Sequence, residues 1–188
     1  MTGARTSQSH PLQIAEVRAS PAHGRIGITF CPGKHDQFAV SGAWARDLAQ
    51  DLDVIAAWGA SAVVTLLEPA ELLMLKVPNL GESVHAKGMT WHHLPIADYS
   101  VPDEGFERIW QTQGRELRAR LCHGENILLH CKGGLGRTGT VAACLLREAG
   151  IGAAEAVAQV RLARPKTIET TEQERYVQVY KRRFAGGL

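Results

Sequence analysis

His130–Gly139 reads "HCKGGLGRTG", and this stretch decides how the rest of the chain is interpreted. Cys131 is followed by four glycines within eight residues, and Arg137 stands six positions after the cysteine. The apolar run "NILLH" before the loop predicts a strand, and "RTGTVAACLLREAG" after it predicts a helix that ends at a glycine. The stretch therefore predicts a loop at the carboxyl end of a strand, where ligands bind in open α/β sheets.

The composition of this loop suits it to hold an anion. Gly133, Gly134 and Gly136 can adopt backbone angles that other residues resist, and they let the backbone approach a ligand closely. Converging N–H groups at a helix amino end attract phosphate, and Arg137 adds a planar cation that can hold two phosphate oxygens. The same field favours the thiolate form of Cys131. Phosphoryl transfer to sulfur requires this combination of thiolate, amides and cation.

The alternative is a glycine-rich turn beside a cysteine that is there by chance. A Cys-x5-Arg spacing alone, in a chain with four cysteines, would not exclude it. His-Cys, the glycines, Arg-Thr-Gly and the strand–loop–helix context together favour the phosphoryl-transfer interpretation. No Gly-Lys-Ser/Thr closes the loop, so it differs from the nucleotide-binding loop. Lys132 either draws anions to the mouth of the loop or is simply solvated.

A thiolate attack also needs an acid for the departing oxygen. The segment "PIADYSVPDEG" offers Asp98, Asp103 and Glu104. Asp103 follows a proline and precedes an amphipathic helix, which favours helix capping. Asp98 has no such duty, so it is the predicted acid. His92 and His93 are adjacent on a strand and face opposite sides, which argues against a shared metal site.

Strands alternating with helices along the chain predict a single α/β domain. We expect a central, mostly parallel sheet of about five strands flanked by helices, with the glycine loop between a central strand and a helix. The spacing of Trp44, Leu48, Leu52 and Ile55 predicts one helix, and "TTEQERYVQVYKRRF" predicts a closing helix with basic residues in its last turns. Residues 1–12 are expected to form a flexible leader, and residues 13–188 the domain.

Composition excludes several classes of function. The 188 residues carry a net charge of +2 and no long basic run, which argues against nucleic-acid binding. No apolar stretch has the length of a signal core or a membrane span. The cysteines lack C-x-x-C pairing, which argues against a zinc framework. We therefore expect a cytoplasmic monomer that binds neither nucleic acid nor a membrane and needs no metal or cofactor.

Three stretches resemble a known enzyme family. "HCKGGLGRTG" resembles the signature loop of the cysteine-dependent protein tyrosine phosphatases, His-Cys-x5-Arg-Ser/Thr. "HHLPIADYSVPD" resembles the acid loop of their compact dual-specificity branch, particularly the kinase-associated phosphatase group of the cyclin-dependent kinase inhibitor type. The run "KVPNLGESVHAKGMTWHHLPIAD" also matches that group, so that the likeness spans most of residues 27–180.

This resemblance implies a role for each residue of the site. Cys131 is expected to be the nucleophile, Arg137 the phosphate clamp and Asp98 the acid and then the base. Thr138 is expected to help the thiolate depart. The residues expected to bind the substrate phosphate are Lys132, Gly133, Gly134, Leu135, Gly136 and Arg137.

A glutamine near the end of the chain has two interpretations. Related phosphatases often carry a run like "RPKTIETTEQ", whose glutamine helps to position the hydrolytic water, and Gln173 is the matching residue. Thr170 and Gln173 also have the spacing of a helix capping box.

The sequence predicts a protein phosphatase that hydrolyses phosphotyrosine, and some phosphoserine and phosphothreonine, through a phosphocysteine intermediate. Its expected partner is a phosphorylated protein. The alternatives are a phosphoinositide or RNA 5′-phosphate phosphatase with the same loop, and a non-catalytic phosphoprotein-binding module. Leu135 stands where a second lysine would help a lipid phosphatase, and the complete set of Cys131, Arg137 and Asp98 argues against a binding module. The first half of the chain shows no extended phosphotyrosine-recognition segment, so a deep, tyrosine-only pocket is not expected.

Overall fold

A five-stranded sheet forms the centre of the protein in the computed structural model, which describes residues 3–184. Its strands are β1 (Ala15–Val17), β2 (Ile26–Phe30), β5 (Ala60–Thr65), β6 (Thr90–His93) and β7 (Asn126–Cys131). A separate pair contains β3 (His35–Asp36) and β4 (Trp44–Ala45). The large sheet has the order β1-β2-β7-β5-β6, with β1 antiparallel at its edge and the other strands parallel. The predicted fold class is confirmed.

Helices cover both faces of this sheet. They are α1 (Leu48–Trp58), α2 (Pro69–Met74), α3 (Leu80–Ala86), α4 (Glu104–Cys122), α5 (Gly136–Glu148), α6 (Ala153–Ala163) and α7 (Thr171–Val179). Ile127 and Leu129 of β7 pack with residues of α4 to α7, whereas Leu128 packs with residues of α1 to α3, as strand alternation requires. None of the helices between residues 3 and 184 combines the length and apolar character that a membrane crossing needs.

The four parallel strands end at one edge of the sheet, and this edge collects the functional loops. Phe30 of β2 lies opposite Cys131, and Thr65 of β5 lies opposite His130. The segments that leave β2, β5, β6 and β7 therefore begin side by side. Residues distant in the sequence meet around the loop that follows β7, as is typical of open parallel sheets.

The predicted position of Trp44 on a helix is wrong. Trp44 lies in β4 opposite Asp36, and α1 begins only after Asp47. The Asp47 side chain accepts a hydrogen bond from the Gln50 N–H at 2.9 Å and so caps the helix. The capping residue fixes the start of α1, and the apolar spacing before it reflects strand packing.

The closing helix is shorter than predicted. It ends before Tyr180, whose backbone is extended, with φ −58° and ψ 125°. The Tyr180 hydroxyl donates to the buried Glu148 carboxylate at 2.8 Å and accepts from the Trp110 indole at 2.8 Å. The backbone N–H groups of Arg183 and Phe184 also donate to Glu148. These hydrogen bonds to Glu148 require a non-helical backbone at Tyr180, so α7 ends there. The basic residues 181–183 therefore lie beyond its last turn.

Residues 1–12, predicted as a flexible leader, make specific contacts from Arg5 onward. The Arg5 N–H donates to the Ala43 carbonyl at 2.8 Å, and its carbonyl accepts from the Ala45 N–H at 3.0 Å. Leu12 is buried in the core. These contacts attach the later part of the segment to the domain. Residues 1 and 2 lie outside the described residues, and the boundary at residue 13 stays a prediction.

Candidate active site

Cys131 lies at the end of β7, at the bottom of the glycine loop, and is only 3 % exposed. The Gly134 N–H donates to its Sγ at 3.2 Å. Gly134 has a φ of +69°, and a Cβ there would lie 2.4 Å from the backbone of Thr29. Both the backbone angle and the close approach require glycine. The loop can therefore curl back far enough for an amide to reach the sulfur.

His130 fixes the strand end that carries the cysteine. Its Nε2 lies 2.7 Å from the Thr65 Oγ1, which also accepts a hydrogen bond from the Trp91 indole at 2.8 Å. An indole N–H can only donate, so the Thr65 hydroxyl accepts from Trp91 and also shares a hydrogen bond with His130 Nε2. Burial lowers the pKa of His130 to about 3. The ring is therefore neutral and joins β7 to β5.

Arg137 is buried in the first turn of α5 and held by several acceptors. Its Nη1 and Nη2 donate to the two carboxylate oxygens of Glu71 at 2.6 and 2.9 Å, and Nη1 also donates to the Ile96 carbonyl at 3.0 Å. Nη2 lies 3.0 Å from Asp98 Oδ1. Burial lowers the pKa of Arg137, but the hydrogen-bonded Glu71 and the charges of Cys131 and Asp98 raise it more, so it lies above its ordinary value. The guanidinium is permanently charged and fixed in orientation.

The structure separates the two aspartates of the predicted acid loop. Asp98 lies against the guanidinium of Arg137, and its side chain is 54 % exposed at the mouth of the site. Asp103 instead accepts the Phe106 N–H at 2.8 Å as the N-cap of α4, and Glu104 is the first residue of that helix. The predicted capping role of Asp103 is confirmed, and Asp98 is the aspartate that the fold brings to the loop.

The contacts of three further predicted site residues, Lys132, Leu135 and Thr138, differ from one another. The Lys132 ammonium lies 3.2 Å from Asp36 Oδ2, so its charge is already paired. The Leu135 carbonyl accepts the N–H of Ile168 at 3.3 Å. Thr138 is fully buried, and its hydroxyl has no hydrogen-bond partner among residues 3–184. Its role in thiolate departure stays a prediction.

Gln173 lies between the acid loop and the glycine loop. The Thr170 hydroxyl accepts the Gln173 N–H at 3.1 Å, and Gln173 Oε1 accepts the Thr170 N–H at 3.2 Å, which confirms the capping box. Gln173 Nε2 also donates to the Ser100 carbonyl at 3.1 Å, and a Cβ on Gly136 would lie 2.9 Å from its amide group. The side chain thus touches both loops, and its action on a water molecule stays a prediction.

Four polar residues at the loop were not predicted from the sequence. Glu71 pairs with the loop arginine, and Glu169 Oε2 accepts the Gly136 N–H at 2.8 Å. Lys34 and Arg164 donate to carbonyls of the loop. No spacing in the sequence marks them, because they come from three separate segments, with Arg164 and Glu169 both in the connection between α6 and α7. For Lys34 and Glu71 the available signal was topological, since both follow strands that end at this edge of the sheet.

Together these groups provide the parts of a phosphoryl-transfer site. A thiol accepts a hydrogen bond from the Gly134 amide, a fixed guanidinium follows in the first turn of α5, and a carboxylate lies at the opening. Such a set can attack phosphorus, bind the phosphate oxygens and protonate a leaving group. Between residues 3 and 184, no group of three or more His, Cys, Asp and Glu side chains is arranged to hold a metal ion.

Comparison with known proteins identifies the family. A family model described as "Swiss Army Knife protein, DSP-PTPase phosphatase domain" matches residues 37–177. The chain belongs to this family. Cyclin-dependent kinase inhibitor 3 of Rattus norvegicus is similar to this DSP-PTPase domain, with 32 % identity over 180 residues that cover 94 % of this chain and 80 % of the relative. The Homo sapiens protein of that name is 31 % identical with the same coverage.

Solved structures agree with this assignment. A crystal structure of kinase associated phosphatase (KAP), with its catalytic-site cysteine substituted by serine, matches with a TM-score of 0.76 and 28 % identity, over 89 % of this chain and 92 % of that one. Tk-PTP in its active form matches with a TM-score of 0.63 and 29 % identity, over 84 % and 91 % of the two chains. The DSP-PTPase domain is thus a cysteine-dependent protein phosphatase. Its monomeric state, its cytoplasmic location and its independence from nucleic acid and membranes stay predictions.

Proposed function

We propose that this phosphatase hydrolyses phosphotyrosine in proteins, and some phosphoserine and phosphothreonine, through a phosphocysteine on Cys131. The observation that carries the proposal is the arrangement around the sulfur. The Gly134 amide donates to Sγ, and Arg137 is held in a fixed orientation by Glu71 with Asp98 beside it. A nucleophile, a dianion site and an acid at one opening support both halves of a covalent mechanism.

The reaction proceeds in two steps, formation and hydrolysis of the phosphocysteine. The Cys131 thiolate attacks phosphorus, the bond from phosphorus to the ester oxygen breaks, and the Asp98 carboxyl gives its proton to the departing oxygen. In the second step, the Asp98 carboxylate takes a proton from water, whose oxygen attacks phosphorus. The S–P bond breaks, phosphate leaves and the thiolate is restored, with the Thr138 hydroxyl donating to the departing sulfur. Gln173, between the two loops, orients the water.

The Arg137 guanidinium exchanges partners during this cycle. Without substrate, Nη2 lies 3.0 Å from Asp98 Oδ1, whereas Glu71 takes a hydrogen bond from both Nη1 and Nη2. A phosphate dianion that arrives at the guanidinium replaces Asp98, which is half exposed, and leaves the Glu71 pairing intact. Asp98 is then free to turn toward the leaving oxygen.

Features around the opening support a protein substrate. A groove of about 460 Å³ begins at Lys132, and Phe38 on its wall is 93 % exposed. Other residues along the groove are Asp36, Trp44, Met74 and Lys76. The groove offers room for peptide residues that flank a phosphorylated side chain. The pairing of Lys132 with Asp36 removes a free positive charge that a phosphoinositide head group would use.

The substrate class can be tested with matched phosphopeptides. Two peptides of one sequence, with phosphotyrosine or phosphothreonine at the same position, are compared with a phosphoinositide by phosphate release. We expect the phosphotyrosine peptide to have the highest kcat/KM, because its phenol leaves more easily than an alkoxide. A higher kcat/KM for the phosphoinositide would instead support the lipid phosphatase. Phosphopeptide binding without any turnover would support the binding module.

Asp98→Asn separates the acid from its neighbour Asp103. We expect it to lower phosphotyrosine turnover by about 10²–10⁴-fold, the range of one acid–base group. The loss should shrink on aryl phosphates whose leaving groups have low pKa values, because these need less protonation. Rates on two aryl phosphates with different leaving groups measure the effect.

Asp103→Asn is the matched control for this prediction. Because Asp103 caps α4, its replacement should cost about 1 kcal/mol of stability or less and leave the leaving-group dependence unchanged. If Asp103→Asn showed the leaving-group dependence and Asp98→Asn did not, the acid would have to be assigned to Asp103.

A further inference from the structure

Two cationic side chains donate hydrogen bonds to consecutive carbonyl groups of the glycine loop. Lys34 Nζ donates to the Lys132 carbonyl at 3.1 Å, and Arg164 Nη2 donates to the Gly133 carbonyl at 3.0 Å. Lys34 lies in the segment after β2 and is only 4 % exposed, whereas Arg164 directly follows α6. The loop is thus held by side chains from two separate segments.

Peptide geometry links these contacts to the anion site. In a trans peptide the C=O and the N–H point in opposite directions, and every described peptide bond here is trans. Holding the Gly133 carbonyl outward therefore turns the Gly134 N–H inward, where it meets Cys131 Sγ at 3.2 Å. In the same way, holding the Lys132 carbonyl outward directs the Gly133 N–H into the loop. The cations act on the two peptide units whose amides face an incoming phosphate.

Because of its glycines, the loop needs contacts from other segments to fix the orientation of its peptide planes. Gly133 and Gly134 have no side chains that could pack and fix their peptide planes, and glycine has the largest freedom of backbone rotation. Hydrogen bonds from a charged donor are about twice as strong as neutral ones. The Cys31 N–H also donates to the Lys132 carbonyl, at 3.4 Å. With this contact, the charged donors to the Lys132 and Gly133 carbonyls can select one orientation of the two peptide planes.

The surroundings of the two cations support a dedicated role. Lys34 Nζ lies over the rings of Phe30 and Trp44, at 4.8 and 4.9 Å from their centroids. Burial lowers the pKa of Lys34 and of Arg164, and the negative charge of Cys131 opposes this in both cases. Keeping a buried charge is costly unless it is paired or hydrogen-bonded. The hydrogen bonds to the loop carbonyls thus give both cations a partner in their partly buried positions.

We propose that Lys34 and Arg164 are positioning residues that hold the amides of Gly133 and Gly134 toward the thiolate and the substrate phosphate. They act from outside the loop and do not touch the substrate. The proposal deepens the proposed function and rests on it, because it takes the loop to be the phosphate site.

Lys34→Met and Arg164→Met test the proposal, with inorganic phosphate as the anion. We expect each variant to lower kcat/KM for para-nitrophenyl phosphate by about 10- to 100-fold, as the loss of a charge-assisted hydrogen bond allows. Phosphate should bind more weakly as a competitive inhibitor. The amide NMR signals of Gly133 and Gly134 should shift or broaden. Lys34→Arg and Arg164→Lys should restore part of the activity and of the phosphate affinity.

Lys181→Met and Arg175→Met are the matched controls. Both side chains are exposed and make no hydrogen bond or ion pair within residues 3–184, so these variants should keep wild-type rates and phosphate affinity. Arg164 is half-buried, so its replacement is better tolerated than that of Lys34. If Lys34→Met does not fold, Arg164→Met alone tests the proposal.

Two results would overturn the inference alone while the wild type remains active. One is wild-type kcat/KM and phosphate affinity in folded Arg164→Met and Lys34→Met. The other is a loss of activity in which the Gly133 and Gly134 amide signals do not change. A wild-type protein that neither binds phosphate nor hydrolyses para-nitrophenyl phosphate overturns the proposed function, and this inference with it.

Discussion

Cys131→Ser is expected to lower turnover of para-nitrophenyl phosphate by at least about 10⁴-fold, as removal of an enzyme nucleophile does elsewhere. A serine hydroxyl is a poor nucleophile unless a base takes its proton. The adjacent His130 cannot serve as that base, because its ring is buried and its Nε2 faces the Thr65 hydroxyl. Inorganic phosphate should still bind, because the Gly134 amide and Arg137 remain. Steady-state rates and competitive inhibition by phosphate measure the two effects.

Cys122→Ser is the control for the same chemical change. Cys122 is partly exposed at the end of α4, away from the loop, and the variant should keep wild-type turnover. Cys31 and Cys144 are buried, and burial raises the pKa of both thiols, so they stay protonated and their serine variants should also turn over. Activity of Cys131→Ser within about tenfold of the wild type would contradict the covalent mechanism.

The features predicted correctly from the sequence are those encoded within one short segment. The spacing of Cys131 and Arg137 identifies the glycine loop. Its position after "NILLH" places it at the end of a central strand. The cap at Asp103 depends on residues three positions apart. Local patterns of this kind carry their own physical explanation, so no tertiary structure is needed to interpret them.

The features that the sequence did not reveal depend on the meeting of distant segments. Glu71 lies 66 positions from the arginine that it orients, and within its own helix it only completes a capping box with Glu68. Trp44 has helical spacing, yet it pairs in a strand. Tyr180 leaves its helix because a buried carboxylate 32 positions earlier binds its hydroxyl. In each case tertiary contacts outweigh the local pattern.

Arg137→Lys should reduce kcat/KM by about 10³–10⁵-fold, the range measured when a phosphate-stabilising arginine is removed. Lysine keeps the charge but loses the planar pair of donors. In the wild type, Nη1 and Nη2 bind Glu71 while Nη2 also faces Asp98, where the substrate phosphate is proposed to arrive. A single ammonium cannot occupy both positions. Weaker inhibition by inorganic phosphate should accompany the loss of rate.

Arg147→Lys distinguishes loss of the phosphate site from loss of the helix. Arg147 lies on the same helix α5 and donates to the carbonyls of Ile151 and Tyr180, so its replacement tests the general cost of an arginine-to-lysine change. It should leave kcat/KM and phosphate inhibition as in the wild type. Near-normal rate and phosphate affinity in Arg137→Lys would show that charge alone suffices. The orientation that Glu71 gives the guanidinium would then have no part in catalysis.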